Sequence, residues 1–237
     1  MSHTPADFPS ATLAVEPTEE VRAGRVALWR LVRPSVLFAR RNSIYKTMDC
    51  DVWDADRDAL NWPGGASVVA HPPCRAWGRL RHFARPRAGE RELALWAVDM
   101  VRTWGGVLEH PASSLLWREK PLPAPGLRDA WGGWTMPVLQ WWWGHRAEKP
   151  TWLYICGVEP RDVPAAPLVI GRSECVIRLD KRRADGTHIR KGDADWRQPL
   201  GPEEREATPP AFAAWLLDVA RLAWANAEGQ PTPRTEP

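Results

Sequence analysis

Two stretches of this chain end an apolar run in a reactive side chain beside proline. The first, Val68-Val69-Ala70-His71-Pro72-Pro73-Cys74, reads as a buried strand, Ser67 to Ala70, halted by two prolines with a cysteine just beyond. Proline cannot donate to a sheet ladder and holds the residue before it extended, so the turn is stiff. Cys74 therefore falls past a strand end, where open α/β sheets bind their ligands. A thiol there is either a nucleophile or a small core residue. The second stretch, Val107-Leu108-Glu109-His110-Pro111, repeats the plan of apolar strand, polar residue and proline. If the two strands are parallel and joined by a helix, Cys74 and Glu109 share one carboxyl edge. That pair suits pyrimidine chemistry. A thiolate adds to carbon 6 and makes carbon 5 nucleophilic, while a carboxyl group on the Watson–Crick edge stabilises the adduct. Nearby cations would favour the thiolate by lowering the cysteine pKa.

Cations are clustered. Arg79, Arg81, His82, Arg85 and Arg87 form a basic loop directly after the cysteine, suited to an anionic substrate or a nucleic-acid backbone. Arg40, Arg41 and Lys46 either grip phosphate or form an ordinary charged loop. Lys181-Arg182-Arg183 and His188-Ile189-Arg190-Lys191 belong to a nucleic-acid-facing hairpin or a solvated loop. Among Asp49, Asp51, Asp54, Asp56 and Asp58, an acid at the end of a second strand would bind a ribose hydroxyl. His71, Cys74, His82, Glu109 and His110 could converge, but without paired ligand spacing no metal is expected. The second cysteine of a cytidine-deaminase site is also missing after Cys74.

These residues need a scaffold, and the hydrophobic pattern supplies one. Residues 1–17 are polar and proline-bearing, a segment expected to be disordered, and Thr18 caps a helix that Pro34 ends. Val36 to Ala39 is the first strand and a short one follows around Asp51 to Trp53. Between the two candidate sites, Leu93, Trp96, Ala97, Met100, Val101 and Trp104 mark a helix over Glu90 to Trp104. Val138 to Trp143 and Thr151 to Cys156 read as an antiparallel strand pair. Thr208-Pro209-Pro210 opens a last helix, and residues 228–237 form a flexible tail. The expected organisation is one α/β domain over residues 18–227.

The 237 residues can bury one substantial core, and their hydrophobic share of 44% fits a globular chain. No apolar run reaches membrane-span length and no signal-peptide pattern opens the chain. Four cysteines without a CxxC pair read as reduced thiols, so a cytoplasmic protein is expected. A net charge of +3 does not by itself announce nucleic acid. Sixteen tryptophans exceed what packing needs, and reflect either base stacking or coding bias.

Pro72-Pro73-Cys74-Arg75-Ala76-Trp77-Gly78 resembles the catalytic loop of the cytosine-5 DNA methyltransferases, usually Pro-Pro-Cys-Gln-Gly-Phe-Ser. Leu108-Glu109-His110-Pro111 resembles their Glu-Asn-Val or Glu-Asn-Pro motif. Thr208-Pro209-Pro210-Ala211-Phe212 is similar to the start of the C-terminal helix that completes their cofactor pocket. Gln140 to His145 with Lys149 to Leu153 looks like small methyltransferase-like proteins of bacteriophages and prophages. The resemblance spans roughly Val36 to Arg221. It implies a Rossmann-like methyltransferase fold, a mostly parallel sheet with an antiparallel C-terminal strand pair. It implies Cys74 as nucleophile and Glu109 as the ring-binding acid, with His110 beside it, acting on a base flipped out of DNA. S-adenosylmethionine would lie near Phe38, Asp51, Asp54 and Pro73, and the nucleic acid or pyrimidine nucleotide against Arg75, Arg79, Arg81, Arg182 and Arg183. The chain departs from the family in three respects. Phe38-Ala39-Arg40-Arg41-Asn42-Ser43 has no glycine where the family has Phe-x-Gly-x-Gly-Gly. His110 replaces Asn, and no Gln-x-Arg-x-Arg motif is present, with little length for a target-recognition domain. Two alternatives follow: a DNA-binding relative without catalysis, and a pyrimidine enzyme with another carbon donor.

Overall fold

The structure is a computed structural model and describes residues 33–78, 81–177 and 182–227. The expected N-terminal segment and first helix, Arg79, Lys181 and the C-terminal tail lie outside the described residues.

Six strands form the main sheet: β1 (Ser35–Ala39), β2 (Asp51–Asp54), β3 (Val68–Ala70), β4 (Gly106–Pro111), β5 (Trp134–Leu139) and β6 (Pro150–Cys156). Their order is β2-β1-β3-β4-β6-β5. β1 is parallel to β2 and β3, and β3 is parallel to β4. β6 is antiparallel to β4 and β5. A second, two-stranded sheet joins β7 (Cys175–Val176) to β8 (Gln198–Pro199). The helices are α1 (Glu90–Trp104), α2 (Leu116–Glu119), α3 (Pro202–Glu206) and α4 (Pro210–Ala227). Among the described residues no helix is long and apolar enough to cross a membrane.

The run of apolar residues in β1, β3 and β4 follows from burial on both faces. Successive side chains point to opposite sides of a strand. Val36, Val69, Val107, Leu153 and Ile155 pack on one face with Phe212, Leu216, Val219 and Ala223 of α4. Leu37, Val68, Ala70, Leu108, Tyr154 and Cys156 pack on the other with Ala94, Ala97, Val98 and Val101 of α1. The result is a helix–sheet–helix sandwich. Chain direction diverges at β1, whose two parallel neighbours β2 and β3 lie on opposite sides. The crevice at the carboxyl ends of β1 and β3 is therefore the switch point at which such sheets bind ligands.

The expected strand over Val138 to Trp143 is corrected. β5 begins at Trp134 and stops at Leu139, and Gln140–Trp143 close into a 3-10 turn. Gly144 ends the turn at φ 93° and donates to the Gln140 and Trp141 carbonyls. Trp143 thereby swings onto Phe212 and Trp215 of α4, ring centroids 4.8 and 5.2 Å away. Packing overrides the strand preference of three tryptophans. Much of the tryptophan content has the same use. Trp62, Trp77, Trp117, Trp134 and Trp215 each sit in or against the core with the indole N–H donated to an oxygen.

Gly106 lets β4 approach β3. Its φ is 119°, and a Cβ there would lie 2.0 Å from the Val68 carbonyl oxygen. Gly106→Ala combines left-handed strain with a backbone clash and should destabilise the protein by at least about 3 kcal/mol. Gly65→Ala, whose Cβ would meet nothing within 4 Å, should cost about 1 kcal/mol. Urea unfolding of both variants measures the difference, and equal losses would contradict the close-approach argument.

Candidate active site

β3 hands the chain to the candidate site along a fixed path. The His71 amide continues the β1 ladder by donating to the Leu37 carbonyl at 3.0 Å. After the prolines, the Cys74 carbonyl accepts from the amides of Trp77 and Gly78, at 3.0 and 2.9 Å, so Cys74 opens a tight turn. Trp77 is fully buried in the α1-side core, donates to the Arg91 carbonyl and accepts from the Leu115 amide. Cys74 is thus held between a strand end and a buried anchor, while remaining exposed itself.

β4 brings Glu109 to the same edge, because the β3–β4 register pairs Ala70 with Leu108. The carboxylate is nearly enclosed and three donors converge on it or its neighbours. His71 Nδ1 lies 3.1 Å from Oε2, and Gln140 Nε2 donates to Oε1 at 3.0 Å. The Thr151 hydroxyl accepts from Gln140 Nε2 at 3.1 Å and donates to the Lys149 carbonyl at 3.1 Å, with Oε1 of Glu109 3.4 Å away. Burial alone would raise the carboxyl pKa. The His71 hydrogen bond and the charge of Lys149 outweigh it and hold the value at about 2. Glu109 is therefore ionised and can only accept, which puts a proton on His71 Nδ1. In the neutral imidazole, Nε2 then accepts from the Tyr45 hydroxyl at 2.9 Å. Burial, with Glu109 next, keeps the Tyr45 phenol protonated.

The thiol departs from expectation. Desolvation, then the Glu109 charge, raise the Cys74 pKa, and Lys149 is the cation that opposes them. Arg75 does not help much, because its guanidinium bonds Glu90 at 2.7 Å.

Two cavities meet at Cys74. The smaller, about 480 Å³, lies at the β1–β3 switch point, within the range of about 300–1,000 Å³ common for small-molecule sites. Its wall includes Phe38, Tyr45, His71, Pro73, Cys74, Glu109 and Lys149, with Glu203, Glu206 and Thr208 from the segment around α3. The larger is a cleft of about 1140 Å³ between the cysteine loop and the β7–β8 segment. Arg183 and Arg197 on its wall are engaged by Asp193 with Asp195 and by Glu148. Arg81, Arg172, Arg182 and Arg205 line it without a carboxylate partner among the described residues.

The residues expected from the sequence therefore separate. Cys74, Glu109, Phe38 and Pro73 meet at the small cavity, while Arg75, Arg81, Arg182 and Arg183 line the cleft. Asp51 and Asp54 are on neither wall. Asp51 holds Arg57 and the Trp53 indole, and Asp54 holds Lys46 at 2.5 Å and caps two amides. His110 is also off both walls, because strand alternation turns it from the Glu109 side to the α1 side. It is fully buried, and neither ring nitrogen makes a well-formed hydrogen bond among the described residues, although the Pro73 carbonyl lies close enough to favour the protonated ring. Tyr45, Gln140, Lys149, Arg172 and Arg205 are added by the structure, and His71 takes a role other than metal binding. No group of three or more His, Cys, Asp or Glu that could hold a metal occurs among the described residues.

Burial lowers the His110 pKa from 6.5 to about 4, against the upward pull of Glu109 and the Pro73 carbonyl. The unfolded chain thus takes up this proton first as pH falls. The stability conferred by the neutral ring is whole above pH 6.5 and is lost on descent toward pH 4. Between pH 6.5 and 5 this group should remove on the order of 2 kcal/mol. Urea midpoints measured across that interval should fall in the wild type and flatten in His110→Asn. An equal decline in the variant would assign the pH dependence elsewhere.

Comparison with family models, with curated proteins and with solved structures returns no match to this chain, so its site stands on its own geometry.

Proposed function

We propose that the protein is a methyltransferase-type enzyme modifying carbon 5 of a pyrimidine, cytosine, in DNA through a covalent adduct on Cys74. The observation that carries this reading is the small cavity, whose wall joins an exposed thiol and an ionised, oriented carboxylate at a sheet switch point. The Cys74 thiolate would bond to carbon 6 and push electron density to carbon 5. Glu109 would accept a hydrogen bond from the exocyclic amino group, fixing the ring edge-on. After transfer, loss of the carbon 5 proton would restore the double bond and release Sγ.

S-adenosylmethionine, as methyl donor, fits the cavity in volume and in mixed charge. Arg40 and Arg205 would meet its carboxylate, and Glu203 and Glu206 its ammonium or ribose hydroxyls, in place of Asp51 and Asp54. Phe38 and Pro73 would pack against it. The cations lining the cleft would bind the phosphate backbone. Phe83, 86% exposed on the basic loop after Cys74, suits insertion into the stack vacated by a flipped base.

One observation favours a DNA-binding relative without catalysis. The loop after β1 carries side chains where the family has glycines, and Arg40 and Asn42 are tied to Glu203.

Calorimetric titration of S-adenosylmethionine, alone and with a short duplex, separates the two. Binding in either condition, with methyl transfer lost in Cys74→Ser, supports the enzyme. No binding in both removes methyl transfer. For the cleft, replacing Arg172 and Arg205 with alanine should reduce the slope of log K against log salt by about 1 for each phosphate left without its arginine. Fluorescence anisotropy of labelled duplex reads it, and an unchanged slope would place the DNA elsewhere.

A further inference from the structure

We infer that the Lys149 ammonium activates Cys74: its charge stabilises the thiolate where the two cavities meet. This rests on the reading of Cys74 as a nucleophile.

Both residues line both cavities, so they share the passage between the cleft and the pocket. The backbone of Lys149 is bent to put it there. Its φ of 42° is one of three positive values at non-glycine positions among the described residues, a conformation that side chains rarely adopt. The Glu109 network holds it so: the Lys149 carbonyl accepts from the Thr151 hydroxyl at 3.1 Å and from the Gln140 amide at 3.4 Å. Its Nζ donates to the Ala207 carbonyl at 3.2 Å, across the mouth of the pocket. The strained residue, the ring-binding acid and the nucleophile thus belong to one connected structure.

The electrostatics agree. Desolvation lowers the Lys149 pKa, opposed by Glu109, Cys74 and Glu206 and assisted by Arg40. Desolvation and Glu109 raise that of Cys74. Each charge thus favours the other: Lys149 lowers the Cys74 pKa and Cys74 raises that of Lys149. Arg75 also stands on both walls, but Glu90 engages its guanidinium at 2.7 Å. His71 has both ring nitrogens engaged by Tyr45 and Glu109.

In the step, the S–H bond of Cys74 breaks, its electron pair stays on Sγ and the proton passes to solvent, leaving an ammonium–thiolate pair. When Sγ later leaves carbon 6, the thiolate is regenerated beside the same ammonium.

The test is the rate of iodoacetamide alkylation of Cys74 from pH 6 to 10, read by intact mass and peptide mapping on the full chain. Cys50, Cys156 and Cys175 are buried, which leaves Cys74 as the exposed thiol. Lys149→Met should slow alkylation about tenfold at pH 7.5 and move the midpoint up by about one unit. Lys149→Arg should regain most of the rate, because the fixed charge still stabilises the thiolate. A Met variant as fast as wild type overturns the inference. So does an Arg variant as slow as Met, since the effect would then be one of packing. Alkylation requires neither S-adenosylmethionine nor DNA, so its outcome is independent of whether methyl transfer occurs.

Discussion

The enclosed carboxylate of Glu109 is the constraint around which the edge of the sheet is assembled. An ion of that size removed from water costs several kcal/mol unless donors and opposite charge replace the solvent. Here the donors come from His71 past β3 and Gln140 in the turn after β5, with Thr151 on β6 holding the Gln140 amide in place. Each can reach β4 only if β4 lies between β3 and β6, which is the observed order. The polar network therefore does for this edge what the apolar faces do for the middle of the sheet. It also fixes a loop whose conformation is otherwise costly, at Lys149.

What the sequence made legible is what is encoded locally. The α1 span, with its apolar stripe, and the two strand-then-proline stretches each declare themselves within a dozen residues. Parallel pairing of β3 and β4 then follows from the helix between them, so the shared edge of Cys74 and Glu109 is readable without a structure. The antiparallel pair was legible as a pair, but not where β5 ends. Gln140 to Trp143 has strand-like composition, and only the packing of Trp143 on α4 explains the turn.

The site was less legible than the fold, for the same reason. Asp51 and Asp54 were attractive because of their strand-end position, yet Arg57 and Lys46 claim them within a few residues or one short loop. His110 looked like a partner of Glu109 because it is adjacent, and adjacency on a strand means the opposite face. Lys149 gave no local sign. It lines the same cavities as Cys74 because the hairpin between β5 and β6 folds back over the carboxyl edge, a consequence of antiparallel pairing that residue spacing does not record. The one hint was a lysine directly before the proline that opens a strand.

The chemistry of the site then turns on a conflict between its two reactive groups. Under the proposed reading, the Glu109 charge that would orient a base also raises the Cys74 thiol and opposes the thiolate that attack would need. Moving Glu109 away would remove the conflict but also the recognition. Protonating it would demand a pH far below neutral, given a value near 2. A positive charge must therefore face the thiol as well. Of the cations on both cavity walls, Arg75 is engaged by Glu90, whereas Lys149 opposes the Glu109 charge at Cys74. That the same residue adopts a left-handed backbone secured by the Glu109 network gives the arrangement its logic. The hydrogen bonds that keep the acid ionised also aim the cation that compensates for it.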